Sequence, residues 1–497
     1  MKLLSIMTFR KIRVLSVFFS ILGAIVQGSR AAPLDRPRTK PNIVILLADD
    51  MGYGDLGCYG HPSIKTPALD RLAAEGQRWT DFYATAPVCS PTRGALMTGK
   101  LPVRSGLYGI KNSVFWPNSK GGIPAGTHTL AEVLRDAGYD TAMLGKWHLG
   151  DTQEALPTRH GFDRWLGLPY SNDMDWVVAP NFQEVLERMK AGDLHAREQF
   201  QKYLSSRTDP NRKSSDWNVP LIASRKSPSG IVDEIIERPA KQENLTKLYT
   251  EEAVSFIRAR SGDHPFFLYV AYNMPHMPTF ASGRFVGKSS RGAYGDAVEE
   301  IDWSVNEIHH ALKAMGLEKN TLVVFASDNG PDYDPLNGGS AGPLKGYKGT
   351  TLEGGMRVPG IFWWPGYIES GVVHGLGNTM DLYATAAALA GVSNGSSDSD
   401  SVDLSPVFEG RQSPRTSLSY YSAVGGQLLA YRSGAWKVSF SEDGFKLSDK
   451  IRLYNLEFDP SELKDLSSAY PDILKNLIEV ARSRDAAVPR AAPIFDQ

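Results

Sequence analysis

Two acidic pairs in this chain could hold a metal ion. Asp49 and Asp50 follow the apolar run 42–48, and Asp328 and Asn329 follow a second apolar run. Three carboxylates and one amide supply only oxygen ligands, which suit a hard divalent cation such as Ca²⁺ or Mg²⁺ better than zinc. Taken singly, Asp-Asn-Gly is more often a tight turn and Asp-Asp a solvated strand end. The presence of both pairs at strand ends in one chain favours a metal site.

Cationic side chains that could bind an anion occur in three further segments. Lys146 and His148 lie at alternate positions after a strand-like run, so they point the same way if that segment is extended. His276 follows another such run, and Lys348 lies in a glycine-rich loop. Transfer of a sulfuryl or phosphoryl group demands positive charge around its oxygens more than covalent help. Each of these residues alone also has an ordinary structural explanation as part of a loop.

The sequence Cys89-Ser90-Pro91-Thr92-Arg93-Gly94 could supply a nucleophile. Proline is favoured in the first turn of a helix, so Cys89 is expected at a helix N-terminus. Backbone amides and the helix dipole favour anions there, and Arg93 could reach back to the same group. The alternative is a buried free cysteine with an incidental arginine nearby. This short motif alone does not identify a nucleophile, and its interpretation depends on the other segments.

The elements that must position these residues follow an alternating pattern. Apolar runs typical of strands buried on both faces lie at 42–48, 141–144, 266–271, 321–326 and 358–364. Helical patterns lie between them, at 68–75, 129–137, 250–260 and 297–315. This alternation predicts an α/β fold with a largely parallel sheet and helices on both faces. Ligands of such folds bind beyond the carboxyl ends of the strands, where both acidic pairs lie.

The composition excludes some classes of partner. The chain has 497 residues, 54 Lys+Arg and 55 Asp+Glu, which gives a formal net charge of -1. No global field therefore favours nucleic acid or an anionic membrane, and anion binding must come from a local cluster of cations. A hydrophobic content of 42% and 10 tryptophans indicate a packed globular protein.

The N-terminal residues have the pattern of an export signal. Basic residues precede the apolar run 14–26, and small residues follow it near Ala31. The run is short for a membrane span, so cleavage of residues 1–31 and a periplasmic or secreted location are expected, without stable membrane insertion. An uncleaved membrane anchor is the alternative. Cys58 and Cys89 could pair in an exported protein, but pairing would consume the nucleophile.

Three stretches suggest how the chain is divided. Residues 181–241 are polar without a strong period and predict an insertion over the catalytic face, where substrate selectivity often lies. The Gly/Ser/Asp-rich stretch 391–401 predicts a flexible junction. We therefore expect a catalytic domain over 41–392 and a small α+β C-terminal subdomain over 402–497.

The chain resembles the type I sulfatases, specifically the arylsulfatase A-like branch. The resemblance covers about 41–390, with a weaker match at 453–466, and rests on six segments in family order. These are D-D-M-G-Y-G-D at 49–55, C-S-P-T-R at 89–93, G-K-W-H-L-G at 145–150, P-H at 275–276, S-D-N-G-P at 327–331 and K-G-T-T-L-E-G-G-M-R at 348–357. The resemblance implies an alkaline-phosphatase-like α/β fold.

The resemblance also implies a modified nucleophile. In this family a formylglycine-generating maturation enzyme oxidises the motif cysteine, here Cys89, and the hydrated aldehyde attacks sulfur. A serine would be left as a stable sulfate ester, whereas the second hydroxyl of the diol can collapse to the aldehyde and expel sulfate. The family's metal ion, Ca²⁺ or Mg²⁺, would be held by the formylglycine together with Asp49, Asp50, Asp328 and Asn329.

The resemblance assigns the remaining roles residue by residue. Arg93 and His148 would hold and deprotonate the formylglycine hydrate. Lys146, His276 and Lys348 would bind the sulfate, with His276 or Lys348 near the leaving oxygen. Ser171 matches a sulfate-contacting serine of the branch less closely than the other residues match theirs.

The expected activity is hydrolysis of a sulfated small molecule or glycan, and an exported enzyme is expected to meet sulfated carbohydrate. An aryl sulfate is the alternative substrate. A phosphonate monoester or phosphodiester hydrolase could use the same formylglycine. A zinc phosphatase of this fold would need additional histidine ligands, which these motifs lack. A glycan-binding protein without catalysis is disfavoured, because each family position that can be placed carries a competent residue.

Overall fold

A central β-sheet organises the described part of the molecule. The computed structural model describes residues 39–124, 126–334, 337–392 and 398–497. The predicted export signal and the middle of the predicted junction at 391–401 lie outside these ranges. The strands are β1 (Asn42–Ala48), β2 (Gln77–Tyr83), β3 (Asp140–Gly145), β4 (Arg164–Gly167), β5 (Leu221–Ser227), β6 (Gly230–Glu237), β7 (Phe266–Ala271), β8 (Thr321–Ser327), β9 (Gly360–Trp363), β10 (Gly371–Asn378), β11 (Ser417–Tyr421), β12 (Leu428–Ser433), β13 (Trp436–Ser441) and β14 (Leu447–Asn455).

Helices cover both faces of this sheet. They are α1 (Pro67–Glu75), α2 (Cys89–Thr98), α3 (Pro102–Ser105), α4 (Leu130–Asp136), α5 (Phe182–Lys190), α6 (Leu194–Thr208), α7 (Leu245–Arg258), α8 (Gly292–Ala314), α9 (Glu353–Met356), α10 (Asp381–Leu389), α11 (Ser405–Phe408) and α12 (Pro471–Ala487). None of the helices in the described ranges is long and apolar enough to cross a bilayer.

Ten strands form the large sheet, in the order β10-β2-β9-β8-β1-β7-β3-β4-β5-β6. The neighbours from β8 to β4 are all parallel, while β9 and β5 run antiparallel to the strands beside them. The predicted, largely parallel α/β fold is therefore confirmed. The five predicted strands correspond to β1, β3, β7, β8 and β9.

Strand β1 shows why these apolar runs are continuous. All seven of its residues are buried. Val44 and Leu46 belong to a core shared with α1, α7 and α8, whereas Ile43 and Ile45 belong to a second core shared with α2, α4 and α10. Successive side chains of a strand point to opposite faces, so a strand with a core on each side needs apolar residues at every position.

The stretch 181–241 has more regular structure than its sequence pattern predicts. It contains helices α5 and α6 and the hairpin β5–β6, which extends the large sheet by pairing with β4. The hydrophobic periodicity of this stretch is weak because few of its side chains face a core. Only Ala196 and Tyr203 of α6 are buried, and β6 is largely exposed.

The C-terminal subdomain is an antiparallel sheet with one long helix. Strands β11 to β14 pair antiparallel in chain order. Helix α12 packs Leu477 and Ala481 against Tyr431 and Val438 of this sheet. The predicted small α+β C-terminal unit is confirmed.

Candidate active site

The predicted site residues gather at one edge of the large sheet. Asp49 and Asp50 follow β1, Asp328 and Asn329 follow β8, and Lys146 follows β3. All five residues are at most 1% exposed. Because β1, β3 and β8 share one direction, their carboxyl ends bring these residues together.

Unusual backbone conformations at the ends of β1 and β3 orient the side chains at this edge. Gly145 adopts φ +100°, and a Cβ there would lie 1.9 Å from the Ala271 carbonyl oxygen, so only glycine fits between β3 and Lys146. Asp50 and His148 adopt left-handed conformations as well, with φ 63° and 60°. Non-glycine residues in this region are uncommon and concentrate at functional sites.

Arg93 ties the helix of Cys89 to the sheet. Cys89 is the first residue of α2, a helix in which every residue is buried. Arg93, one turn later, places Nε 2.9 Å and Nη2 2.8 Å from Asp328 Oδ2, and its Nη1 donates to the Lys146 carbonyl oxygen at 2.8 Å. Burial acts to raise the pKa of Asp328, but Arg93 and the nearby lysines hold it below its usual value.

Two lysines neutralise the carboxylates that follow β1. Lys146 Nζ lies 2.6 Å from Asp49 Oδ2 and 3.2 Å from Ser171 Oγ. Lys348 Nζ lies 2.7 Å from Asp50 Oδ2. Burial still raises the pKa of Asp49 to about 7 and also raises the pKa of Asp50. The two lysines therefore do not fully offset the effect of burial, and additional positive charge would stabilise the ionised form of both carboxylates.

The two histidines each present a ring nitrogen without a partner. His148 Nε2 donates to the Phe115 carbonyl oxygen at 3.0 Å, which leaves Nδ1 as the acceptor. His276 Nε2 lies 3.4 Å from Ser171 Oγ and 3.5 Å from Asp50 Oδ2, and its Nδ1 has no hydrogen-bond partner. Burial, together with nearby lysines, lowers the pKa of both histidines well below the usual value. Both rings are therefore neutral in this arrangement.

The donor atoms at this edge fit a divalent cation. One ligand atom from each of Asp49, Asp50, Cys89 and His276 lies within 4.8 Å of the others. Asp49 Oδ1 and the Asn329 side-chain oxygen are buried without a hydrogen-bond partner. Buried oxygens are normally satisfied, so these two have the character of unused ligands.

The structure groups the metal candidates differently from the sequence in one respect. His276, predicted to bind sulfate, lies within the group of potential ligands, whereas Asp328, predicted to be a ligand, does not. Both Asp328 oxygens have partners within the protein, since Arg93 engages Oδ2 and the Asp50 amide donates to Oδ1 at 3.2 Å. The remaining predicted residues, Ser171 and Lys348 included, lie at the same edge.

A sequence profile of the sulfatase family matches residues 41–392. The chain belongs to the sulfatase family. It is 41% identical over 431 residues to N-acetylgalactosamine-6-sulfatase of Sus scrofa, covering 84% of this chain and 74% of that protein. It is 38% identical over 501 residues to human arylsulfatase A, covering 94% and 92%.

A solved structure agrees with this assignment. PsFucS1 sulfatase from Pseudoalteromonas sp. superposes with a TM-score of 0.75 at 30% identity, covering 91% of this chain and 92% of that one. The predicted resemblance to the arylsulfatase A-like branch and the predicted fold are both confirmed. This sulfatase is therefore a sulfuric ester hydrolase.

Sequence reasoning missed three groups that the structure brings to the sulfatase site. The Phe115 carbonyl oxygen holds His148, and no sequence pattern marks a backbone carbonyl. Tyr294 on α8 donates to the Asp50 carbonyl oxygen at 3.3 Å. Arg207 on α6 pairs with Asp332 at 2.6 Å, and only the position of Asp332, three residues after Asn329, hinted at a role. Both cysteines are free, so the alternative of a disulfide is excluded in this structure.

Proposed function

We propose that this sulfatase hydrolyses sulfate esters of carbohydrates, using a formylglycine made from Cys89 and a divalent cation, Ca²⁺ or Mg²⁺. The cation ligands in this proposal are Asp49, Asp50, Asp328, Asn329 and the modified residue 89. The observation that carries the proposal is the position of Cys89, which is buried beside two carboxylates at a helix start. The catalytic domain in this proposal spans 41–392, and the C-terminal subdomain spans 402–497.

The unmodified cysteine is a poor nucleophile in this position. Burial raises the pKa of the Cys89 thiol to about 12, so it stays protonated at neutral pH. The thiolate is the reactive form of cysteine, and reactive cysteines have lowered pKa values. A buried, neutral thiol among charged groups therefore supports chemical conversion of this residue by a maturation enzyme.

Individual side chains have distinct roles in the proposed reaction. Formylglycine would supply a diol as nucleophile, and a bound divalent cation would supply positive charge that makes its hydroxyl more acidic. Arg93 and Lys146 would hold the diol and the sulfate in place. His148, with Nδ1 free and Nε2 fixed on Phe115, is oriented to accept a proton.

The leaving oxygen has two candidate donors, His276 and Lys348. Burial lowers the pKa of His276, whereas Asp50 and other anionic groups raise the pKa of Lys348 above its ordinary value despite its burial. Lys348 is therefore the residue that carries a proton at neutral pH. We assign Lys348 to stabilise the leaving alcohol, and His276 to bind a sulfate oxygen through its N–H.

The relatives and the expected location support this substrate class. The name of the porcine relative specifies a sulfated amino sugar. An export signal in residues 1–31 would deliver the enzyme to the periplasm or the exterior, where sulfated glycans occur. The name of human arylsulfatase A keeps an aryl sulfate as the second candidate.

Sulfate release tests this proposal. The protein is co-expressed with a formylglycine-generating enzyme and incubated with N-acetylgalactosamine 6-sulfate, an aryl sulfate and a phosphodiester. We expect sulfate, measured by ion chromatography, to appear fastest from the amino sugar. Faster release from the aryl sulfate would replace the carbohydrate assignment, and turnover of the phosphodiester alone would indicate the other formylglycine-dependent hydrolases.

A further inference from the structure

A separate cavity lies beside the sulfate site. It has a volume of about 280 Å³, which is below the roughly 300–1,000 Å³ of pockets that enclose a whole small ligand. It therefore has room for a substituent of a larger substrate. Its polar lining consists mainly of arginines and small polar groups: Arg207, Arg212, Arg291, Thr208, Thr279 and Asn337.

Three residues that line this cavity lie close to the proposed active site in the chain or in space. Met277 lines the cavity and directly follows His276 in the chain. Tyr294 also lines it, and its hydroxyl lies 3.3 Å from the Asp50 carbonyl oxygen. Thr279 anchors the same loop, since its hydroxyl donates to the Pro275 carbonyl oxygen at 2.9 Å. The cavity therefore shares the loop of His276 and the side chain of Tyr294 with the proposed active site.

Arg212 is a partly buried cation without a counter-charge. Its Nε donates to the Thr279 carbonyl oxygen at 3.1 Å, its Nη2 donates to the same oxygen, and its Nη1 donates to the Asp209 carbonyl oxygen at 3.0 Å. Its guanidinium lies over the Phe280 ring, 5.3 Å from the centroid. Among the described residues it forms no ion pair with a carboxylate. Because a desolvated charge without a partner is unfavourable, this arrangement favours an incoming anion.

Arg207 also lines the cavity and is held by two carboxylates. Its Nη2 pairs with Asp332 at 2.6 Å, and its Nε lies 3.8 Å from Asp173. Tyr203 donates to the same Asp173 carboxylate at 2.5 Å. The Nε group of Arg207 is buried and has no hydrogen-bond partner. Arg207 is thus held between two carboxylates, Asp332 and Asp173, although its Nε forms no hydrogen bond.

We propose that this cavity is a second oxyanion subsite, in which Arg212, supported by Arg207, binds a second sulfate or a carboxylate of the same substrate. The inference rests on the proposed function and makes it more specific. The preferred substrate is a sulfated sugar that carries another anionic group, either on the same ring or on the neighbouring uronate. Guanidinium groups suit both anions, because their planar donors match sulfate and carboxylate oxygens.

The test compares three substrates in the formylglycine-loaded enzyme and its Arg212→Met variant. They are N-acetylgalactosamine 6-sulfate, its 4,6-disulfate, and a disaccharide in which a uronate is linked to the 6-sulfated sugar. We expect Arg212→Met to lower kcat/KM at least about ten-fold more for a dianionic substrate than for the monosulfate, mainly through KM. Selective loss on the disulfate identifies a second sulfate, and selective loss on the disaccharide identifies a carboxylate.

Two further variants control this comparison. Arg284→Met removes an exposed arginine that also lies over aromatic rings, 5.4 Å from Phe285, but outside the cavity. It should leave all three rates unchanged. Arg212→Lys should restore part of the preference, which separates loss of charge from misfolding.

The outcomes separate the two proposals. If Arg212→Met lowers all three rates equally, or none, while the wild-type enzyme is active, the subsite is wrong and the proposed function stands. If the loaded wild-type enzyme releases sulfate from none of the three, both proposals fail together.

Discussion

The charges at the centre of the site favour the cation that we propose there. Three buried carboxylates, Asp49, Asp50 and Asp328, face three cations: the buried Arg93 and Lys146 and the partly buried Lys348. The formal charges of these six groups cancel, so the groups offer a sulfate ester little net electrostatic attraction. A bound divalent ion would add two positive charges and would match the unused oxygens of Asp49 and Asn329.

Removal of metal tests this charge balance. We expect a chelator to abolish sulfate release and to lower the thermal unfolding midpoint, and Ca²⁺ or Mg²⁺ to restore both, because ligand binding stabilises the folded state. In the Asp49→Asn variant the metal-dependent rise in the midpoint should shrink. An unfolding midpoint in wild type that does not respond to either ion would contradict a metal site at these carboxylates.

Two lysines of one loop provide a matched test of the leaving-group role. Lys348 contacts Asp50, whereas Lys345, three residues earlier, is exposed. We expect Lys348→Met to lower kcat by about 10²–10³, as for removal of one group that stabilises transition-state charge. Lys345→Met should stay within about two-fold of wild type. Equal effects of the two substitutions in steady-state assays would remove Lys348 from the site.

At the scale of elements, the C-terminal subdomain holds the loop that carries Lys348. Lys437 on β13 donates to the Thr351 carbonyl oxygen at 3.0 Å and lies 3.0 Å from Glu353 and 2.9 Å from Glu462. The Glu353 amide also donates to Glu462 at 2.7 Å. All three charged side chains are buried, so this network positions the loop from the opposite subdomain.

We therefore expect Lys437→Met to destabilise the folded protein. Removing one partner of a buried ion pair leaves uncompensated charge, and we expect a loss of about 3–5 kcal/mol in the free energy of unfolding, measured with denaturant. Lys241→Met removes an exposed ion pair with Glu237 and should leave the free energy of unfolding nearly unchanged, because solvent screens exposed pairs. A similar small cost for both variants would mean that the network contributes little to stability.

The elements also show what the sequence could predict. Strands with a core on each face, such as β1, have continuous apolar runs and were predictable. Strand β2 was missed because its residues Arg78 and Asp81 interrupt the apolar pattern. Asp81 is compensated only in the folded protein, by Arg357 and Arg432 from distant parts of the chain. Likewise, strand-end motifs predicted the acidic and basic site residues, but the contributions of Phe115 and Arg207 depend on tertiary contacts.

At the scale of the whole molecule, residues near 495 reach back to support the active site. The ring centroids of Phe495 and Phe115 lie 4.5 Å apart in an edge-to-face arrangement, and both rings belong to a small cluster with Leu107. The carbonyl oxygen of Phe115 is the group that orients His148. The last described segment is thus coupled to the residue that we assign as proton acceptor.

This coupling predicts an effect on turnover from a distant substitution. Phe495→Ala removes a buried aromatic ring, so the Phe115 loop and His148 should lose their fixed position. We expect kcat to fall several-fold with little change in KM. Phe458→Ala, which removes an 82% exposed ring, should leave kcat unchanged in the same assay. Unchanged kcat in Phe495→Ala would show that this contact does not position His148.

The most direct test of the central claim is sulfate release by wild type and Cys89→Ala, both co-expressed with the maturation enzyme. We predict that wild type carries formylglycine at residue 89, shown by mass spectrometry of the peptide, and releases sulfate, whereas Cys89→Ala folds but releases none. Sulfate release by Cys89→Ala at a rate near that of wild type would contradict the proposed mechanism.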